Sequence, residues 1–401
     1  MWRVAGERVQ GLVDSRAVSA ERADVVVAGA GLVGLSLAYE LACLGARVTL
    51  VDAGHPGRAT DAGAGILSPA TSLEGDADLW PFLREAGAHY PRLLERLVAD
   101  GAGVSDTRYG VCGVLSLCLR SSEDTWFSPF AEAALRRAPG EVSEIGAAAA
   151  AALFPPLGPV HRVLHAPGSA RVDGRGMAAA LREATTVRGV DVVDGVVHGV
   201  VAAASGGSGR RVESVCIEGR RNVDCDALAV AGGAWSAAMG EWLGCPLPVG
   251  PTKGQIVHLG VEADTAQWPI VQPLLTHYLV PWPGGRVACG GTFEAAAGFS
   301  VTATAGGLHE LLRECLSVAP GLEGARYLET RVGLRPTSAD DRALVGRVPG
   351  WANAWVATGH GANGLLQGPY SARLLAHAVI GEGVTAGEVP LPDAFDPARF
   401  G

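Results

Sequence analysis

Between Asp24 and Asp52 the spacing of apolar positions changes period twice. Val25, Val26 and Val27 form a continuous apolar run, which predicts a short buried strand. Leu35, Ala38, Leu41 and Ala42 then recur at helical spacing, and "ARVTLVD" predicts a second strand ending at Asp52. Helical spacing returns in "LWPFLREAGAHYPRLLERLV", with Leu79, Phe82, Leu83, Tyr90, Leu94 and Leu97 as the buried stripe. Residues 101–163 read as short strands and a helix of weaker periodicity. Asp173 in "RVDGRGMAAALREA" is the expected N-cap of a further helix. "GVDVVDGVVHGVVA", "RRVESVCIEG" and "CDALAVAGGAWS" predict strands, and "VPWPGGRVACGG" predicts a hairpin around Pro-Gly-Gly. A last amphipathic stretch, "GLHELLRECLSVAP", reads as a helix with Cys315 on its apolar face. The alanine- and glycine-rich pieces 147–152 and 202–209 are expected as loops or helix padding, and no internal repeat is visible.

Alternating strands and helices over 401 residues suit an α/β chain of two domains of ordinary size. Composition narrows the partners. A net charge of −9 argues against nucleic acid and against an anionic membrane surface. No apolar run approaches the roughly 18 residues needed to span a bilayer. Residues 1–23 lack the apolar core of a signal peptide and are expected to form a mobile tail on a cytoplasmic protein. Eight cysteines show neither CxxC nor metal-ligand spacing, so reduced structural thiols are expected and no metal.

The chemistry sits in two glycine-rich stretches. In "VVVAGAGLVG" the glycines Gly29, Gly31 and Gly34 lie between a strand and a helix, the context a dinucleotide loop requires. Gly29 allows the tight turn, Gly31 lets backbone approach a pyrophosphate, and Gly34 lets helix pack on strand. The first helical N–H groups, at Leu32 and Val33, then face the phosphates. Asp52, 18 residues after Gly34, is placed to accept hydrogen bonds from a ribose diol, with Ala53 beside it. "GRATDAGAGILSP" follows, where Ala59, Thr60, Ala64, Gly65 and Ile66 permit backbone to lie against a flat ligand. A nicotinamide enzyme would normally continue into another strand and helix. Gly233 and Trp235, at the end of "CDALAVAGGAWS", mark either a second close approach or a plain turn. The late stretch "ATGHGANG" has no role in a simple nicotinamide dehydrogenase.

Four segments fall in one order: the early loop with "GAGIL", then "GPTKGQ", then "HYLVPWPGG", then "RVGLRPTSADDRALVG" with "GHGANG". Together they resemble the D-amino-acid oxidase superfamily of flavoproteins, most closely its glycine oxidase branch, from Asp24 to about residue 395. The resemblance implies a Rossmann-type FAD-binding domain interrupted by a mixed or antiparallel sheet that roofs the flavin. Residues 24–102, 164–246 and 329–395 would bind FAD, and 103–163 and 247–328 would form the substrate domain. It also implies cofactor contacts at Val196 and along His360, Gly361, Ala362, Asn363, Gly364 and Leu365. Backbone N–H groups there would face the flavin pyrimidine, where reduction places negative charge.

Arg335 in "GLRP" and Tyr278 in "HYLVP" match the family's carboxylate-holding pair. A guanidinium fork suits a carboxylate, and a phenol adds one more donor. The alternative readings are a salt bridge from Arg335 to Asp340 or Asp341 and a core position for Tyr278. The reaction implied is hydride transfer from the carbon beside an amine to FAD, then imine hydrolysis to an oxo acid and an amine. Oxygen is the expected acceptor, with a quinone as the alternative, and a homo-oligomer is compatible with this reading. The cysteine or histidine that attaches flavin covalently in some members is missing, so noncovalent FAD is expected. Ala362 stands where glycine oxidases carry an arginine, with Gly361 beside it; Thr276 replaces a histidine and Ile66 a methionine. These changes remove charge and bulk from the pocket and suggest an N-substituted glycine larger than glycine. Such a substrate is similar to those of glycine oxidases acting on N-carboxymethyl β-amino acids in macrolactam pathways. The competing readings are a D-amino-acid dehydrogenase passing electrons to a quinone and a catalytically idle flavin-binding scaffold.

Overall fold

The computed structural model describes residues 23–72, 77–205, 209–383 and 387–401. Of the expected N-terminal tail, 1–23, residues 1–22 lie outside them and Ala23 belongs to a strand; residues 206–208 of the second alanine- and glycine-rich piece also lie outside.

The valine run forms the strand Ala23–Ala28, paired in parallel with Val48–Asp52 on one side and Val223–Val230 on the other. Both faces of this strand are covered, as a continuous apolar run requires. The sheet runs Val197–Ser205, Gly209–Ile217, Val223–Val230, Ala23–Ala28, Val48–Asp52, Asp191–Asp194, and Ala354–Thr358 joins it in parallel along Leu228–Val230. Residues 202–205 thus form strand, not loop, because they pair with Gly209–Val212 in a hairpin. The other alanine-rich piece forms the helix Ala147–Leu153, and residues 101–163 hold a further helix, Asp124–Arg137, so that segment carries two helices rather than one.

The helix Leu32–Cys43 lies under this sheet against the helices Gly174–Val187 and Gly364–Val379, and the helix Trp80–Ala99 packs on the last of these. Asp173 caps Gly174–Val187 by accepting from the N–H groups of Arg175 and Gly176 at 2.9 and 3.0 Å. In Trp80–Ala99 the buried position is Leu93, while Leu94 is only half-buried. Phe82, Ala86, Tyr90, Leu93 and Leu97 keep the three-four spacing of one stripe, and Leu94 lies one step around the helix. Buried Glu40 joins three of these helices: it pairs with Arg96 and accepts from Arg373 Nη1 at 3.2 Å.

A second sheet runs Arg326–Ser338, Val249–Gly260, Arg286–Gly290, Tyr278–Trp282, Ile270–Pro273, Val114–Cys118, Arg162–Ala166, Ser143–Ile145. The helix Ala305–Val318 covers one face, with Leu311, Cys315 and Val318 in the core. Buried Arg171 reaches from the first part of the fold into the second, donating to the carbonyls of Ala266 and Trp268 at 2.5 and 3.3 Å.

Three buried histidines carry a pH dependence. Desolvation, reinforced by neighbouring arginines, lowers His89 and His258 to about 3, and desolvation alone lowers His360 to about 4. The unfolded chain therefore binds more protons than the folded one below about pH 6.5. Stability should be full above that value and fall on acidification, by up to about 1.4 kcal/mol per pH unit for each histidine. Urea unfolding at pH 7 and pH 5 measures this, and His89→Gln should make the loss shallower. An unchanged midpoint would contradict it.

Candidate functional site

The early glycine loop stands at the carboxyl end of Ala23–Ala28. Gly29 adopts φ +111°, and a Cβ there would come 2.4 Å from the carbonyl oxygen of Ala231. A Cβ on Gly34 would strike the Gly29 carbonyl at 1.8 Å, so this residue packs the helix on its own loop. A Cβ on Gly31 would meet nothing closer than Thr60 Oγ1 at 3.6 Å, leaving the backbone open to a large cavity. The Leu32 N–H at the helix start donates to Thr60 Oγ1 at 3.0 Å. Asp52 is already engaged: one oxygen accepts from the Ala30 N–H at 3.1 Å, and the other pairs with Arg58. Arg58 had no signal of its own within "GRATDAG".

The late loop follows the strand Ala354–Thr358, and the helix Gly364–Val379 begins directly after it. Gly359 and Gly361 take positive φ, +73° and +51°. Ser236 Oγ donates to Thr358 Oγ1 at 2.8 Å, tying the turn at Gly233 to this strand. An isolated bridge between Thr337 and His360 ties the late loop to the strand that carries Arg335. His360 is buried, with Nε2 3.3 Å from Ser371 Oγ, and burial keeps its imidazole neutral at pH 7.

Between the two loops and the second sheet lies one cavity of about 1010 Å³. Ligand pockets are typically roughly 300–1,000 Å³, so this one is ample for a dinucleotide with a small molecule beside it. Every residue expected at the site from sequence lines it except Gly34, whose part is packing.

Arg335 lies on Arg326–Ser338 opposite Thr252. Its Nη1 donates to the Thr292 carbonyl at 2.8 Å, and its Cζ stands 4.3 Å from the centroid of the Phe293 ring. A Cβ on Gly254 would come within 2.3 Å of Nη1, so only glycine leaves room for the guanidinium. No carboxylate pairs with Arg335 among the described residues; Asp340 is held instead by Arg399 at 2.8 and 3.0 Å. Tyr278 meets the guanidinium above Gly291, where a Cβ would lie 2.7 Å from Arg335 Nη2 and 3.1 Å from the phenol oxygen. Burial pushes the Tyr278 phenol up, against the pull of Arg335, so it remains a protonated donor at neutral pH. Thr276 lines the cavity, but its hydroxyl donates to Glu314 at 2.8 Å. Gln272, Phe293 and Thr337 also line it and carry no motif of their own; Gln272 and Thr337 are brought there by strand pairing across distant segments, and Phe293 lies on the loop after Arg286–Gly290.

The profile of the FAD-dependent oxidoreductase family matches residues 24–378. The chain belongs to this family, that of the D-amino-acid oxidases. It is 32% identical over 373 residues to the glycine oxidase of Pseudomonas aeruginosa PAO1, covering 89% of this chain and 94% of that one. The uncharacterized oxidoreductase YurR of Bacillus subtilis strain 168 is 35% identical over 368 residues, 89% and 95% of the two chains. The crystal structure of iminodiacetate oxidase from Chelativorans sp. BNC1 superposes with a TM-score of 0.84 at 36% identity, covering 93% of this chain and 98% of that one. The chain is thus an FAD-dependent amine oxidoreductase of the glycine oxidase branch, with the mixed α/β fold of that group. The open Gly31 backbone, the start of the Leu32–Cys43 helix and the late loop, all facing one cavity, fit FAD.

Gly31 has an extended backbone, φ −73° and ψ −178°, which any residue can adopt. Gly31→Val should therefore fold, by far-UV circular dichroism, yet purify with little flavin, because its side chain enters the cavity. A folded variant with full flavin absorbance would contradict the placement of the pyrophosphate.

Proposed function

We propose that this enzyme oxidises N-substituted glycines larger than glycine at the carbon beside the amine, releasing glyoxylate and the amine. The observation that carries the reading is the unpaired Arg335 guanidinium with the Tyr278 phenol beside it, at the end of a cavity that also fits FAD. A substrate carboxylate would satisfy the free edge of that guanidinium and accept from the phenol. Held there, the adjacent methylene is fixed in direction, and orientation is the main service the protein provides. Bound FAD supplies the hydride acceptor. The substrate nitrogen must arrive unprotonated. The substrate loses a hydride and a proton, and water cleaves the resulting imine to glyoxylate and amine. Oxygen is the proposed acceptor, with peroxide as the product.

The size of the substrate follows from what is missing. Ile66, Gly361 and Ala362 bring no charge into the cavity, and Gly361 and Ala362 bring little bulk. The name of the iminodiacetate oxidase neighbour denotes action on an N-substituted glycine, which supports the class. In this reading residues 24–102, 164–246 and 329–395 carry FAD, and 103–163 and 247–328 roof the substrate. The strands Arg162–Ala166 and Arg326–Ser338 cross the joints.

An aerobic screen of glycine, sarcosine and longer N-alkyl glycines, reading peroxide and glyoxylate together, should show kcat/KM rising above that of glycine. Equal turnover of glycine and its N-alkyl derivatives would remove the size argument. Charge-assisted hydrogen bonds contribute about 1.5–3 kcal/mol each. Arg335→Ala should raise KM for carboxylate substrates by roughly a hundredfold or more, and Tyr278→Phe by about tenfold. A near-normal KM in Arg335→Ala would overturn the role of that residue.

A further inference from the structure

We infer that Gln272 selects the substrate's N-substituent: its carboxamide donates to a carbonyl-type oxygen, of a carboxylate or a carboxamide, carried one methylene beyond the substrate nitrogen. The inference rests on the reading of Arg335 and Tyr278 as the anchor of the glycine carboxylate.

Gln272 lies on the strand Ile270–Pro273, between the strands that carry Tyr278 and Ser116. Val271 pairs with Leu279 in the antiparallel ladder, so Gln272 stands opposite Tyr278 and the two side chains share one face. In the parallel ladder on its other side the partner of Gln272 is Ser116. Ser116, Gln272 and Tyr278 thus form a row across three strands, and the last two line the cavity. Gln272 Oε1 is buried with no hydrogen-bond partner among the described residues, and so is Ser116 Oγ. A carbonyl end turned toward the Ser116 hydroxyl faces a donor, which leaves the amide N–H groups as the polar edge toward the cavity. Polar side chains are rarely left in this state at a cavity wall unless a ligand or water completes them.

Position and reach agree. Neighbouring strands lie about 4.8 Å apart, so the carboxamide and the phenol are separated by roughly one strand spacing. Two carbonyl carbons joined through methylene, nitrogen and methylene are linked by four single bonds of about 1.5 Å, which span on the order of 5 Å when extended. A glycine carboxylate on Arg335 and Tyr278 therefore brings an oxygen on the second arm within reach of Gln272. The wall beyond is polar and uncharged. Ser68, Thr71 and Ser72 line the cavity, and Ala70 among them packs on the same small core, around Phe127 and Leu164, as Leu274 just past Gln272. A plain alkyl arm at this place would leave the amide N–H groups without a partner, and a site built to hydrogen-bond a group rejects the analogue that lacks it.

Thioether analogues, in which sulfur replaces the substrate nitrogen, test this on the FAD-loaded enzyme without turnover. Their dissociation constants are read from the flavin absorbance change and checked by calorimetry. The reference is propylthioacetate, which is similar in size and has no acceptor on its second arm. Against it, (carbamoylmethylthio)acetate should bind about three- to tenfold more tightly, and thiodiacetate about tenfold or more. Gln272→Met keeps the length of the side chain and removes both N–H groups; it should erase these preferences and leave methylthioacetate within about threefold. Gln272→Glu should turn the preference for thiodiacetate into a penalty, because two carboxylates then face each other. A preference for thiodiacetate alone would mark a carboxylate as the natural carrier of the oxygen, and one shared with the carboxamide a neutral carbonyl. Equal affinity for the three ligands, preferences that survive in Gln272→Met, or an equal loss for every ligand in that variant, methylthioacetate included, would each overturn the inference. If the ranking holds and no N-substituted glycine is oxidised, the inference stands and the proposed reaction falls. If methylthioacetate does not bind, or Arg335→Ala leaves its binding unchanged, the anchor fails and the inference with it.

Discussion

A guanidinium held at a cavity wall without a carboxylate is the constraint on which the rest of this site depends. Arg335 is kept in place by a backbone carbonyl, an aromatic face and the absence of a side chain at Gly254. None of these neutralises it, so the charge is left for a ligand. Its strand also bridges to the late glycine loop through Thr337 and His360. The element that carries Arg335 is thus in register with the loop that fits the flavin, so that in the proposed reading backbone pairing rather than flexible side chains would set the distance between substrate carboxylate and cofactor.

The dinucleotide side supplies the matching rigidity. Adjacent parallel strands end in turns so close that Gly29 and the Ala231 carbonyl leave no space for a Cβ. A hydrogen bond from Ser236 to Thr358 links those turns to the late one. Behind them Glu40, shared by Arg96 and Arg373, clamps the helices that begin at both glycine loops. Removing that single buried carboxylate would leave two arginines without their shared partner, a cost far larger than the worth of a surface ion pair.

Much of this was legible along the chain because it is local. The valine run, the glycine spacing, the cap at Asp173 and the Pro-Gly-Gly hairpin each express a short-range rule, and each became the element expected. The long-range features were not legible. Arg58 on Asp52, Phe293 on Arg335 and the Glu40 clamp join residues whose partnership is created by folding alone. The exchange of Leu94 for Leu93 shows the limit within one helix, where adjacent leucines differ only in phase. The strand at 202–205 shows it for alanine, which carries no preference strong enough to resist a partner strand. Arg335 and Tyr278 fell between the two cases: residue type and motif suggested them, and only pairing across the second sheet brought them together.

The central claim is that a carboxylate on Arg335 and Tyr278 is what orients the substrate. Anaerobic reduction of the flavin tests it most directly, comparing N-ethylglycine with diethylamine, which matches its amine but has no carboxylate. The account predicts rapid bleaching of the flavin absorbance by N-ethylglycine and none by diethylamine over the same time. Equal rates of bleaching by the two would contradict it.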